Sequence, residues 1–135
     1  MSKRRIHDLE TPALLLDLPT VECNLLKMAR FISRGRTALR PHFKNHQSVW
    51  LSARQPDAGA IGITCATVEQ AETLAHHGVG SILIASEVVS EAKLGRLAEL
   101  ARQADVMVAI DHARAVADVA RIARIVARLC QSQVG

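Results

Sequence analysis

Between Pro12 and Asp17 the chain is continuously apolar (Ala13-Leu14-Leu15-Leu16), the pattern of a short buried strand. After Pro19 the period changes. Val21, Leu25, Met28, Ala29 and Ile32 recur at helical spacing, and Gly35 is placed to close that helix. Thr37-Ala38-Leu39 then leads into a central strand that runs to about Lys44. A helix from about Gln47 to Ala58 carries Val49, Trp50 and Ala53. Pro56 must end or kink it, because proline lacks an amide donor and crowds the preceding turn.

From Gly59 a module repeats. A glycine precedes each of two strands, Gly59 before Ala60–Thr64 and Gly78 before Ser81–Ala85. The helix between them opens with Thr67 and Gln70, the spacing of a capping box in which two orphan amides are satisfied reciprocally. Gly78-Val79-Gly80 follows a helix instead of opening one, which makes it a helix-to-strand turn and not a dinucleotide fingerprint. The next helix begins near Ser90 and uses Leu94, Leu97, Leu100 and Ala101; a strand from Val106 to Ile110 ends at Asp111. Val116, Val119, Ala120, Ala123, Val126 and Ala127 mark an amphipathic helix from Ala113 to Leu129. Strands alternating with helices imply parallel β–α units with functional residues at the carboxyl ends of the strands. His42, Lys44, Thr64, Cys65, Ala85, Ser86, Glu87 and Asp111 fall at those ends and define one rim.

Composition narrows the picture. The 135 residues suit one domain, and with 2% aromatic residues the core has to be built of Leu, Ile, Val and Ala. The net charge of +4 comes partly from Lys3-Arg4-Arg5 and partly from Arg114, Arg121, Arg124 and Arg128. These arginines alternate with acids and lack aromatic stacking partners, which fits a solvated helix face better than a nucleic-acid surface. Cys23, Cys65 and Cys130 are odd in number and far apart, so neither a disulfide nor a zinc spacing is present. No run approaches a membrane span, and the basic start lacks the apolar stretch of a signal peptide, so a cytoplasmic location is expected.

The candidate chemistry lies in Arg40-Pro41-His42-Phe43-Lys44-Asn45-His46. If strand geometry persists to His46, the period of two puts Arg40, His42, Lys44 and His46 on one face. Burial there, with positive neighbours, would lower the pKa of the lysine and make it a nucleophilic amine able to form a Schiff base. The residues alone equally admit an ordinary solvated lysine at a strand end, flanked by loop histidines.

Pro41-His42-Phe43-Lys44-Asn45-His46 resembles the Pro-His-x-Lys-Thr-His segment of D-threonine aldolases and eukaryotic-type D-serine dehydratases, pyridoxal-phosphate enzymes with an alanine-racemase-type barrel. Three further stretches resemble the same family in the same order: Asp8 to Asp17, Gly62 to Glu72, and Glu87 to Leu94. The resemblance spans about Asp8 to Asp111 and departs from the usual pattern at Asn45 and Gln47, where the family has Thr and Lys.

It implies an α/β fold, a partial (β/α)8 barrel of alanine-racemase type. About four barrel strands are expected (Thr37–His42, Ala60–Thr64, Ser81–Ala85 and Val106–Ile110), plus an N-terminal strand, Leu14–Asp17, belonging to a separate β-domain. It also implies pyridoxal phosphate held by Lys44, with His42, Arg40 and His46 as further cofactor-contact candidates that are as readily structural. Full-length relatives carry a C-terminal β-domain with metal ligands, so no metal ligand is assigned in this chain. A complete barrel takes eight strands and about 250 residues, with the phosphate cup after strands seven and eight. Residues 1–135 are therefore expected to be the N-terminal portion of the barrel domain, without its C-terminal half-barrel and β-domain.

Two functional readings follow. In the first, the chain is part of a pyridoxal-phosphate lyase acting on small D-β-hydroxy amino acids by aldol cleavage or dehydration, and has no meaningful turnover alone. In the second, it is a non-catalytic half-barrel whose open sheet pairs with a partner or a second copy, giving a homo-oligomer.

Overall fold

The computed structural model describes residues 5–131, with side chains as far as residue 127. Lys3, Arg4 and the side chains of Arg128 and Cys130 lie outside the described residues. Among the described residues five α-helices and three strands follow from Leu18 onward, alternating from the second helix: α1 (Leu18–Ile32), α2 (Val49–Asp57), β1 (Ile63–Cys65), α3 (Val68–His76), β2 (Ser81–Glu87), α4 (Glu91–Leu100), β3 (Asp105–Ala109) and α5 (Ala113–Gln131). The strands form one parallel sheet in sequence order, β1-β2-β3.

The expected first barrel strand is reduced to a bridge. His42 pairs in parallel with Thr64, Ile61 N–H donates to Leu39 O at 2.9 Å, and Thr64 N–H donates to Pro41 O at 2.7 Å. Pro41 has no amide to return, so the ladder stops before it becomes a regular strand. The chain order is nonetheless that of consecutive β–α units, with residues 39–42 lying beside β1 where a fourth strand would be.

The expected N-terminal strand is not formed. Residues 12–17 have no regular structure and lie on the surface, with Leu14 87% exposed. A continuous apolar run is read as buried because burial usually repays it, but here every residue of it is exposed.

The register sorts the strand residues into two faces. Ile63 pairs with Ile82 and Ile82 with Val106, while Cys65 pairs with Ile84 and Ile84 with Val108. That face packs on α3 and α4, where Val68, Ala71, Leu74, Leu94, Leu97 and Leu100 complete the core, and Ile122 reaches it from α5. The opposite face carries His42, Thr64, Leu83 and Met107 in one row. Burial declines along that row, from 8% exposure at Thr64 to 36% at Met107.

Local chemistry ends the elements where the pattern suggests, with small displacements. Helix α2 ends at Asp57, one residue past Pro56. Both α2 and α3 close through a glycine with left-handed φ, Gly59 at 101° and Gly78 at 85°. The two closures share one hydrogen-bond pattern: Ala60 N–H donates to Gln55 O and Gly59 N–H to Pro56 O, and Val79 N–H donates to Leu74 O and Gly78 N–H to Ala75 O. At the start of α3, Thr67 Oγ1 accepts from Gln70 N–H as expected, but Gln70 Oε1 accepts from Ala66 N–H, one residue before the cap. No helix among the described residues is long and apolar enough to cross a membrane.

Charged side chains tie the outer helices together. Arg96 on α4 donates to Glu69 and Glu72 on α3, and Arg121 on α5 donates to both carboxylate oxygens of Glu91 at 2.8 Å. Glu69's own amide at the open start of α3, the Thr67 hydroxyl and Arg96 hold its carboxyl down at about 2, against an ordinary value of 4.5. A depressed carboxyl means the unfolded chain takes up the proton first, so this contribution is present above about pH 4.5 and is lost as pH falls toward about 2.

Two outcomes are expected. Leu74→Ala, at a fully buried position, should lower stability by about 3 kcal/mol in denaturant melts, whereas Leu14→Ala should change it by less than about 0.5 kcal/mol. Arg96→Met should flatten, without abolishing, the loss of stability between pH 4.5 and 2, because the amide and Thr67 still act on Glu69. Urea midpoints at stepped pH would show this, and an unchanged acid slope would rule it out.

Candidate functional site

The site is built where residues 39–46 leave the sheet. Up to His42 the backbone is extended (φ −100°, ψ 122°); it then tightens into a 3₁₀ turn over Phe43–Asn45. His42 caps that turn, its Nδ1 accepting from Lys44 N–H at 3.1 Å. Asn45 N–H donates to His42 O, and both His46 N–H and Gln47 N–H donate to Phe43 O. Gln47 lies at φ 46°, a left-handed conformation unusual for a residue with a side chain, and the chain reverses there into α2. Ser48 caps α2, accepting from Leu51 N–H at 3.2 Å.

This turn corrects the expectation of a shared strand face. Arg40 and His42, still extended, lie on the same side of the sheet, but the 3₁₀ turn rotates Lys44 and His46 away from the alternation. A period of two cannot survive a segment that turns through three residues. The second premise, burial of the lysine, also fails: Lys44 is exposed. It makes no ion pair among the described residues.

The four candidates have separate surroundings. Lys44 stands two residues beyond the bridge to Thr64, at the carboxyl end of the sheet. His42 is half-buried beside it, and burial, then the positive charge of Lys44, pull its pKa below 6.5. A neutral ring leaves Nδ1 free to accept the Lys44 amide.

His46 is also half-buried, with its ring edge-on to Phe43 at 5.8 Å between centroids. Its Nδ1 accepts from Ser48 N–H at 3.0 Å, so in the neutral ring the proton sits on Nε2. Nε2 is buried and lies against the Gln55 side chain without reaching hydrogen-bond geometry. Burial lowers its pKa, with Gln55 opposing. His46 thus joins the lysine turn to α2. Arg40 points toward Ser81, at the amino end of β2, away from the rim that carries Lys44.

The rest of the rim is as the pattern implied. Thr64 and Cys65 end β1, Glu87 ends β2 after an irregularity between Ile84 and Glu87, and Asp111 follows β3. Asp111 lines a polar hollow of about 550 Å³ with Glu91, His112, Arg114 and Asp118. Lys44 is not part of that lining. Cys65 is fully buried and burial pushes its thiol up to about 11, which makes it a packed core residue and not a nucleophile.

Sequence reasoning missed the Gln47 reversal and the His46–Gln55 contact. A histidine two residues before an amide-bearing turn residue was the available signal. It recurs at His112, whose Nδ1 accepts from Arg114 N–H at the start of α5.

No family model matches the chain. A D-threonine aldolase from Arthrobacter sp is 40% identical over 112 residues, covering 83% of this chain and 30% of the relative. A 3-hydroxy-D-aspartate aldolase from Paracoccus denitrificans is 34% identical over 119 residues, covering 87% of this chain and 31% of that protein. Among solved structures, D-threonine aldolase from Filomicrobium marinum superposes with a TM-score of 0.86 at 37% identity, covering 90% of this chain and 33% of the other. D-threo-3-hydroxyaspartate dehydratase from Delftia sp. gives 0.77 at 32% identity, covering 86% and 31%. The described sheet and helices are therefore part of that aldolase fold, consistent with a partial barrel. Spanning about a third of the length of these relatives, the chain belongs to the D-threonine aldolase and 3-hydroxy-D-aspartate aldolase/dehydratase family, of which it is an N-terminal part.

Proposed function

We propose that the chain is the N-terminal part of a pyridoxal-phosphate enzyme acting on small D-β-hydroxy amino acids, by aldol cleavage or dehydration, with Lys44 as the residue that holds the cofactor. The observation that carries this reading is the placement of Lys44. Its exposed amine stands at the carboxyl rim of a parallel sheet, on a turn capped by His42, in a chain 40% identical to a D-threonine aldolase. Functional groups in such β–α architectures gather at that rim. A primary amine with no ion-pair partner among the described residues fits covalent attachment to an aldehyde.

When bound, pyridoxal phosphate supplies an electron sink for breaking a bond at the substrate's α-carbon. The residues of this chain hold and orient. His42 fixes the Lys44 backbone through the hydrogen bond its Nδ1 accepts from Lys44 N–H, and His46 fixes the exit of the turn by accepting from Ser48 N–H. Lys44 is the residue that would hold the cofactor, and its amine, where uncommitted, would be placed to move a proton. We assign the site to the cytoplasm and place the metal ligands and phosphate cup of the full-length enzyme outside these 135 residues. The isolated chain accordingly has no meaningful turnover.

Self-association is a second reading with an observation of its own. Leu26, Met28 and Phe31 of α1 are exposed, Phe31 to 72%, as is Met107 on the open sheet face. Apolar surface of that kind favours an interface with another copy of the chain.

Two experiments check these readings. Borohydride reduction after incubation with pyridoxal phosphate should leave the adduct on Lys44 in peptide maps, and Lys44→Ala should remove most of it. A dominant adduct on Lys27 or Lys93 would overturn the assignment. Sedimentation of the purified chain should show a dimer or larger; a cooperative monomer at high concentration would exclude the need for association.

A further inference from the structure

We propose that Arg40 is a positioning residue, whose guanidinium reaches across β1 to Ser81 and, through it, to Asp105, and so fixes the segment that presents Lys44. The proposal deepens the reading of Lys44 as the cofactor-holding lysine and rests on it for its functional meaning.

The need for such a tie follows from how little else holds the segment. Residues 39–42 receive two backbone hydrogen bonds from the β1 side, Ile61 N–H to Leu39 O and Thr64 N–H to Pro41 O. Pro41 donates none. A segment held by so few backbone bonds, one of them part of the His42–Thr64 bridge, can slide or lift, and any shift at His42 is carried two residues on to Lys44.

Side chains supply what the ladder lacks. Arg40 Nη1 donates to Ser81 O at 3.2 Å and to Ser81 Oγ at 3.2 Å, and Nη2 donates to Ser81 Oγ at 3.2 Å. Ser81 Oγ has one proton, and it donates that proton to Asp105 Oδ2 at 3.2 Å. The hydroxyl thus accepts from a cation and donates to an anion, each polarising it in the same sense, which strengthens both bonds. Thr64 Oγ1 adds a bond to Arg40 O at 3.3 Å. The result is a layer of side chains one step below the His42–Thr64–Leu83–Met107 row, in which Ser81 and Asp105 are register partners and the first residues of β2 and β3.

Gly62 makes the reach possible. A Cβ built there would clash with Arg40 Nη1 and with Ser81 O. The guanidinium passes over Gly62, the residue just before β1, which has no side chain to block it. Gly62 also has φ 151°, which residues with side chains seldom adopt.

The layer lies at the amino ends of β2 and β3, whereas Lys44 stands at the rim. Arg40 therefore acts on the lysine through the backbone of residues 40–44 and not by touching the cofactor.

Amide hydrogen exchange on the full 135-residue chain, read by NMR, tests the proposal in Arg40→Met and Asp105→Ala, with Arg40→Lys as the conservative variant. Asp105 is exposed, so its truncation leaves the core intact. The amides of Ile61, Thr64 and Lys44 should exchange about tenfold faster in both variants, the loss of a charge-assisted bond, while the β2–β3 ladder is unchanged. Arg40→Lys should restore part of the protection. Reductive tagging with pyridoxal phosphate should lose its preference for Lys44 in step. Unchanged exchange at Ile61 and Thr64 would overturn the proposal, and so would equal acceleration throughout the chain, the mark of a purely global effect. Absent tagging of Lys44 in the parent chain would instead defeat the cofactor reading, with the exchange pattern still deciding whether Arg40 holds the segment.

Discussion

The pairing of Ile63 with Ile82 and of Cys65 with Ile84 governs everything else in the molecule. A slip of one residue would exchange the faces of β1, turning Thr64 into the core and Ile63 and Cys65 toward the open side. The buried isoleucines forbid that slip, because all three side chains of Ile63, Ile82 and Ile84 are fully excluded from solvent. With the faces fixed, the outer positions follow. Thr64 receives the bridge from His42, and Lys44 arrives at the carboxyl rim two residues later. A packing decision in the core thus sets the place of a side chain that touches none of it.

The helices and the two later strands were legible because each is announced by chemistry local to it. Leu94, Leu97 and Leu100 show the period of α4, and all three are buried. Gly59 and Gly78 mark the ends of α2 and α3 because only glycine takes the left-handed conformation there without strain. The apolar run Ala13–Leu16 misled, since hydrophobicity reports a tendency to be buried and not the presence of a neighbour to be buried against. The histidine-lysine-histidine alternation misled for another reason. His42, Lys44 and His46 are spaced as in a strand, but His42 and His46 use their side chains to accept amides two residues on, a local bond that competes with the ladder.

What could not be read at all was long-range. Arg40 and Ser81 are 41 residues apart, and Ser81 and Asp105 are 24 apart. Their meeting depends on strand order and register, quantities that exist only after folding. The nearest trace in sequence is that Ser81 and Asp105 each follow a helix and begin a strand. Lys44 was found by its motif and family, and its exposure corrects the physical premise that first drew notice to it. An amine at a rim is accessible as it stands, and any loss of solvation has to come from what is placed over it.

The histidine caps have a consequence for the turn's behaviour in acid. A cap of this kind works only while the ring nitrogen has a lone pair, since protonation replaces the acceptor by a second donor facing an N–H. An unshielded imidazole would fail near 6.5, but both His42 and His46 have their pKa lowered, chiefly by burial. The two hydrogen bonds that frame Lys44 are therefore lost at a lower pH than unshielded rings would allow. Burial that does nothing directly for the lysine thus moves the loss of its support to a lower pH than free histidine would set.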